Sequence, residues 1–166
     1  KQPSKMTIKN IAGIFLIGVI VYSCKQQNGS AQTTQTAWQQ ANIFPKGEKI
    51  TNENFTGTAY LQPLMDADSL NSISVGNVTF EPGARSKWHS HPAGQILLVT
   101  DGVGYYQEKG QPKKILRKGD VIKCPPNIAH WHGASVDTAF VQVAITGREK
   151  GETNWMEKVS DEEYNK

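Results

Sequence analysis

Apolar and polar residues alternate along the chain in short runs, and glycine or proline separates one run from the next. Residues 73–80 alternate and stop at a Pro-Gly turn, and residues 95–100 precede an Asp-Gly pair that predicts a hairpin to residues 103–108. Further strands are predicted at 119–124 and 138–146. Strands at this spacing predict an all-β sandwich or a small barrel.

A helix signal appears at the end of the chain. Ser160 is a candidate N-cap, and Glu163 follows three residues later, which is the spacing of a capping box. We therefore expect a short C-terminal helix after the strands.

The first 23 residues have a different pattern. Residues 11–21 are an apolar run that is too short to span a bilayer but has the length of a signal-peptide core. The run ends in Val-Tyr-Ser-Cys24, which resembles the lipobox of bacterial lipoproteins. This resemblance implies a signal peptide at 1–23, lipidation of Cys24 and anchoring in the cell envelope, facing the periplasm. Lys25 is not acidic, which favours the outer membrane, and an uncleaved signal anchor is the alternative.

Residues 24–43 are polar and rich in glutamine, so they cannot bury enough apolar surface to offset the entropy of ordering. We expect a flexible tether there and a folded domain at 44–166. The net charge of +3 comes from the lysines of the first 23 residues, so the remainder is neutral and nothing favours nucleic acid as a partner. Lipidation of Cys24 leaves Cys124 alone, which excludes a disulfide framework. Cys124 is predicted to be a buried apolar residue, with a soft metal ligand as the alternative.

All four histidines lie in two His-X-His pairs, His89 with His91 and His130 with His132. Alternate residues of a strand point to the same face, so each pair projects two imidazoles into one space. The neighbouring tryptophans would face the opposite way, toward packing. Two such pairs, with no other histidine in the chain, favour a metal site over scattered structural histidines.

The segments around these pairs resemble the two motifs of the cupin superfamily. The first motif corresponds to residues 83–102, with glutamine where the pattern usually has glutamate, and the second begins at Gly119 and reaches the second histidine pair. The resemblance implies an all-β fold, a small cupin β-barrel or jelly roll with a short C-terminal helix, whose lumen holds a metal. It also implies four metal ligands: His89, His91, Gln95 and His130.

A narrower resemblance is to small bacterial cupins related to carboxymuconolactone decarboxylase-associated domains, a group that includes manganese-dependent hydroxynitrile lyases. The run at 125–134 and the tail at 155–164 carry it. The decarboxylase activity belongs to a different, helical domain, so that name does not transfer. The group implies Mn²⁺ first, with Fe, Ni or Zn as alternatives, because nitrogen and oxygen donors do not choose among these metals. Cupins commonly dimerise, which implies a homodimer.

Three imidazoles and an amide are neutral, so a divalent ion would keep its full charge and act as a stronger Lewis acid than beside glutamate. His132 shares a strand face with His130 and is the candidate acid/base, with hydrogen bonding to a ligand or strand edge as the alternative. Gln142, Gly76 and Val78 are expected to line the cavity and bind substrate. Related hydroxynitrile lyases can carry histidine at the position of Gln142, which leaves cyanide chemistry open.

Three functions fit these residues. The favoured one is a metal-dependent lyase, decarboxylase or isomerase that acts on a small carbonyl or hydroxy compound. The second is a metal-dependent dioxygenase, and the third is a non-catalytic lipoprotein of the envelope that binds a ligand or a metal. The expected partners are a small-molecule substrate and, through the lipid anchor only, a membrane.

Overall fold

The computed structural model describes residues 42–166. The predicted signal peptide, Cys24 and nearly all of the predicted tether lie outside the described residues. No helix within 42–166 has the length and apolar character needed to cross a membrane. The elements are β1 (Glu48–Lys49), β2 (Phe55–Thr56), β3 (Ala59–Met65), β4 (Ile73–Phe80), β5 (Arg85–Ser86), β6 (His89–Ser90), β7 (Gln95–Glu108), β8 (Lys114–Arg117), β9 (Val121–Cys124), β10 (His130–Ala134), β11 (Phe140–Gly147), β12 (Asn154–Trp155) and α1 (Asp161–Asn165).

The strands form one curled antiparallel sheet, and the predicted all-β class is confirmed. The main path is β1-β3-β4-β11-β7-β10-β5-β2. Strands β8 and β9 both pair with β7, while β12 joins the sheet through β6, which pairs with β10. The two histidine strands, β6 and β10, are therefore direct neighbours.

Strand β7 is continuous where the sequence predicts a hairpin, so that prediction is wrong. Its first half pairs with β9 and β11, and its second half pairs with β8 and β10. The register against β11 shifts between Val141 and Gln142, and Gly102 has a φ of 76°. A bulge and a left-handed glycine bend the strand from one half of the barrel to the other without reversing it.

Two apolar clusters support the barrel. Inside the barrel, fully buried side chains such as Phe80, Leu97 and Phe140 pack together, and Cys124 belongs to this core as the sequence predicts. Outside the barrel, a second cluster covers the back of the histidine strands, and it confirms that the tryptophans face away from the imidazoles. Its buried members are Trp88, Trp131, Val159 and Tyr164.

The C-terminal tail is fixed to β10. The side chain of Ser160 accepts a hydrogen bond from the backbone N–H of Glu163, whose carboxylate accepts one from the backbone of Ser160. This confirms the predicted capping box and helix. The Tyr164 hydroxyl donates to the carbonyl of Ala134 at 2.8 Å, so the helix is seated on the strand that carries the second histidine pair.

Candidate metal centre

Strand pairing brings the two histidine pairs together. His89 in β6 lies directly opposite His130 in β10, and their ring centroids are 4.4 Å apart. His132 lies two residues further along β10, with its ring 5.2 Å from that of His89. His91 follows β6, and its ring lies 5.1 Å from His89 and 5.5 Å from His130. All four imidazoles are buried.

Three of these histidines have the spacing of a metal site. The ligand atoms of His89, His130 and His132 lie within 4.8 Å of one another. His91, which the family resemblance names as a ligand, is not in this group, and His132, expected beside the metal, is. The structure thus brings together all four histidines. His89 and His130 belong both to the ligand set that the resemblance implies and to the group of three closely spaced histidines.

Two of the histidines have their protonation fixed by the backbone. The Nδ1 of His89 is 2.9 Å from the carbonyl oxygen of Lys87, and the Nδ1 of His130 is 2.9 Å from that of Ile128. A carbonyl oxygen can only accept, so Nδ1 must carry the proton and Nε2 keeps its lone pair. This is the tautomer that a histidine needs to bind a metal through Nε2.

Five buried polar atoms at the site have no hydrogen-bond partner among the described residues. They are Nε2 of His91, His130 and His132, and Oε1 of Gln95 and Gln142. The amide nitrogen of Gln95 donates to the hydroxyl of Thr146 at 2.9 Å, which leaves the oxygen as its unpaired atom. Buried polar atoms without partners are costly, and a cation would satisfy those of His91, His130 and Gln95 together. The donors fit a divalent transition metal.

Burial lowers the pKa of all four histidines below the ordinary value. Repulsion from His130 lowers the pKa of His89, His91 and His132 further. For His91, burial and the charges of His130 and Arg148 bring the pKa to about 3. The imidazoles are neutral at neutral pH, so their lone pairs are available.

His132 differs from the others because a side chain holds its outer nitrogen. Its Nδ1 lies 2.9 Å from the amide nitrogen of Gln142, which is fully buried. An amide N–H that donates to Nδ1 leaves the proton on Nε2, whereas a rotated amide would accept from Nδ1–H and free Nε2. Gln142, expected to bind substrate, thus lies against His132 and governs which form this histidine takes.

The imidazoles of His89, His91 and His132 open into a cavity of about 250 Å³. Gly76 and Val78 line it, as do His132 and Gln95. The mouth has an apolar side and a polar side. The apolar side comprises Phe55, Leu61, Pro63, Met65 and Trp155, and the polar side includes Ser74, Arg148 and Thr153.

Sequence reasoning missed Trp155, Arg148 and Thr153 as parts of this site. Strand β12 pairs with β6 in a register that sets Trp155 opposite His89, and the pairing draws the preceding loop over the cavity. Two paired residues give no alternating pattern, so no local signal for this strand exists. The contact becomes visible only in the folded chain.

An antiparallel barrel with paired histidines facing its lumen defines the cupin class of proteins. The chain belongs to the cupin superfamily, and the family model for the cupin domain matches residues 76–146. The chain is 45% identical over 111 residues to an (R)-mandelonitrile lyase of Granulicella tundricola. The aligned region covers 66% of this chain and 85% of the relative.

Solved structures agree with this assignment. The chain is similar to a cupin-like protein from Thermotoga maritima, with 46% identity and a TM-score of 0.72 over 75% of this chain and 95% of that one. A cupin 2 conserved barrel domain protein from Rhodopseudomonas palustris has a TM-score of 0.57 at 15% identity, over 65% of this chain and 74% of the other. The second likeness concerns the fold alone.

Proposed function

We propose that this cupin is a metal-dependent lyase that cleaves a small 2-hydroxynitrile, or a related hydroxy compound, into a carbonyl compound and a small leaving group. The observation that carries the proposal is the set of unpaired buried nitrogen and oxygen atoms facing an apolar-walled cavity. The 45% identity to an (R)-mandelonitrile lyase supports the class of reaction.

We assign the metal to His89, His91, Gln95 and His130, with Mn²⁺ as the first candidate and Fe, Ni or Zn as alternatives. The carbonyl-fixed tautomers of His89 and His130 and the free Oε1 of Gln95 support this assignment. When bound, such an ion supplies Lewis-acid stabilisation of negative charge that develops on a substrate oxygen.

His132 is assigned the proton transfer. Its Nε2 is buried and unpaired, and the side chain lines the cavity. As the carbon–carbon bond of a hydroxynitrile breaks, the hydroxyl loses its proton, the O–H electron pair forms the carbonyl, and the C–C pair leaves with cyanide. With the Gln142 amide rotated so that its oxygen accepts from Nδ1–H, Nε2 of His132 takes the hydroxyl proton and passes it to the leaving cyanide, so the products are an aldehyde and hydrogen cyanide.

The apolar side of the mouth selects the organic substituent. Leu61 and Trp155 are 37% and 40% exposed, so a ring placed against them would remove apolar surface from water. An apolar cavity of about 150 Å³ can hold benzene. The cavity of about 250 Å³ leaves room for an aromatic ring with a short polar substituent.

Metal content and turnover together test the proposal. The purified protein would be analysed by inductively coupled plasma mass spectrometry and then assayed for benzaldehyde release from mandelonitrile. We expect near-stoichiometric metal, loss of activity after chelation and recovery with Mn²⁺. A loaded protein that cleaves no hydroxynitrile but consumes oxygen with a substrate would instead support the dioxygenase alternative. Ligand retention with no turnover would support the binding protein.

We also propose that the protein forms a homodimer, as the resemblance to cupins implies. We further propose that Cys24 is lipidated and anchors the protein in the envelope, facing the periplasm, with the outer membrane favoured. The lipobox-like run before Cys24 supports the anchor. Metabolic labelling with palmitate tests it: the parent should take up label and fractionate with membranes, and Cys24→Ala should do neither.

A further inference from the structure

A chain of polar contacts runs from the rim of the barrel to His91. The Nε of Arg148 donates to the Oγ of Ser74 at 3.0 Å, and its Nη1 donates to the Oγ1 of Thr153 at 3.2 Å. Oγ1 of Thr153 in turn lies 3.1 Å from the Nδ1 of His91. Glu152 completes the chain by accepting from Nη1 of Arg148 at 3.1 Å.

His91 depends on this chain in a way that its neighbours do not. The Nδ1 atoms of His89 and His130 meet backbone carbonyls only two residues away, so their partners come with the local backbone. The partner of His91 is a hydroxyl 62 residues away in sequence. Its orientation is therefore set by side chains of a separate segment.

We propose that Thr153 and Arg148 are positioning residues that orient the imidazole of His91 and keep its Nδ1 engaged, so that Nε2 remains available to a metal. The inference rests on the proposed metal site. A threonine hydroxyl has two lone pairs, so Oγ1 can accept from the guanidinium of Arg148 and from Nδ1–H of His91 at once. When His91 donates its Nδ1–H to this oxygen, its lone pair is on Nε2.

Arg148 is suited to hold that hydroxyl. Its guanidinium is always charged and always a donor, so the oxygen of Thr153 stays turned toward it. The arginine is itself held by Ser74 on β4, and its backbone N–H donates to the carbonyl of Ser72 at 2.7 Å. Thr153 is β-branched, which restricts its side-chain rotation. Both groups are therefore positioned before any ligand arrives.

Substitutions at Thr153 test the inference because two variants differ by the hydroxyl. Thr153→Val keeps the shape and removes the oxygen, whereas Thr153→Ser keeps the oxygen. Loss of a group that orients a metal ligand typically weakens binding about 10- to 100-fold. We expect that loss for Mn²⁺ with Thr153→Val by calorimetry, and near-parental affinity with Thr153→Ser. Parental affinity in Thr153→Val would overturn the inference.

The matched control is Glu152→Gln, because Glu152 also contacts Arg148 but its side chain is 88% exposed. It should bind Mn²⁺ as the parent does. Arg148→Met, which leaves the hydroxyl of Thr153 in place, should weaken binding in the same direction as Thr153→Val. If thermal melting of the metal-free proteins shows that Thr153→Val does not fold, Arg148→Met takes its place as the test.

A second measurement needs no metal. In metal-free protein with ¹⁵N-labelled histidine, the ring nitrogens of His91 should show a single Nδ1–H form in the parent and in Thr153→Ser. Thr153→Val should give a mixture of tautomers, and an unchanged spectrum would overturn the inference. A parent that binds none of Mn²⁺, Fe²⁺, Ni²⁺ and Zn²⁺ but shows this pattern would refute the proposed function and leave the positioning role standing.

Discussion

The ring of Trp155 lies against the ring of His89, with centroids 4.8 Å apart and planes at 36°. The two residues are opposite each other in the pairing of β12 with β6. The indole also meets the ring of Phe55 edge-on at 5.8 Å, so it joins the histidine cluster to the apolar side of the mouth. A substrate that reaches the imidazoles passes this aromatic surface.

Replacing Trp155 should weaken substrate binding and leave the metal in place. An aromatic pair contributes about 0.5–1.5 kcal/mol beyond the area that it buries, so Trp155→Ala should raise KM for an aromatic hydroxynitrile about tenfold. Trp155→Phe keeps an aromatic face and should restore most of the affinity. Equal KM values in the parent and in Trp155→Ala would remove the indole from the substrate site.

Substitutions of the two histidines of β10 should have different effects on metal content and on activity. His130→Ala removes an assigned ligand, so metal content should fall with activity. His132→Ala should keep the metal and lose about 10²- to 10⁴-fold in kcat, the usual share of a general acid or base. Mass spectrometry of the metal and steady-state kinetics measure the two effects. Loss of metal in His132→Ala would place His132 among the ligands, as its spacing allows.

The metal-free protein should lose stability as the pH falls below about 6.5. Burial lowers the pKa of the histidines in the folded state, and that of His91 to about 3, while in the unfolded chain they titrate near the ordinary value. Between those values the unfolded state binds more protons, so the free energy of unfolding decreases with acidity. Each such histidine contributes up to about 1.4 kcal/mol per pH unit.

Urea denaturation between pH 7 and pH 5 measures this dependence, in a range where most carboxylates stay ionised. His91→Gln removes one titrating group. It should therefore reduce the slope of the free energy of unfolding against pH by the contribution of one proton. A free energy of unfolding that does not change over this range would contradict the expectation.

Gly102→Ala should destabilise the fold far more than Gly110→Ala. Both glycines have positive φ, so both substitutions cost about 1–2 kcal/mol of backbone strain. A Cβ at Gly102 would also lie 1.9 Å from the carbonyl oxygen of Ala139, whereas a Cβ at Gly110 would meet nothing within 4 Å. We expect a further loss of about 1–3 kcal/mol for Gly102→Ala, measured by urea denaturation. Equal losses would mean that the bulge relaxes freely.

Local signals explain which parts of the fold could be predicted. The strand predicted at 73–80 matches β4 at both ends, because alternation and a Pro-Gly stop need no distant partner. The capping box of α1 is equally local. Asp101-Gly102 was ambiguous because the same pair suits a hairpin and a bulge, and only the pairing with β11 decides between them.

The candidate site likewise has features that the sequence predicts and contacts that it does not. The spacing of the histidines predicts that each pair shares a face, and the family motif links the two pairs to Gln95. The contacts of Thr153 with His91 and of Trp155 with His89 could not be predicted, because they arise between segments more than sixty residues apart. The contact of Gln142 with His132 likewise depends on how β10 and β11 face each other inside the barrel.

The pairing of β12 with β6 also sets an order of events during synthesis. A nascent chain folds in the order of its synthesis, and the strand that carries His89 finds its outer partner more than sixty residues later in the chain. A ribosome-bound chain that stops before residue 153 would hold the histidines without Thr153 or Trp155 beside them. The surroundings of the histidine cluster therefore become complete only after residues 153–155 have been made and have paired with β6.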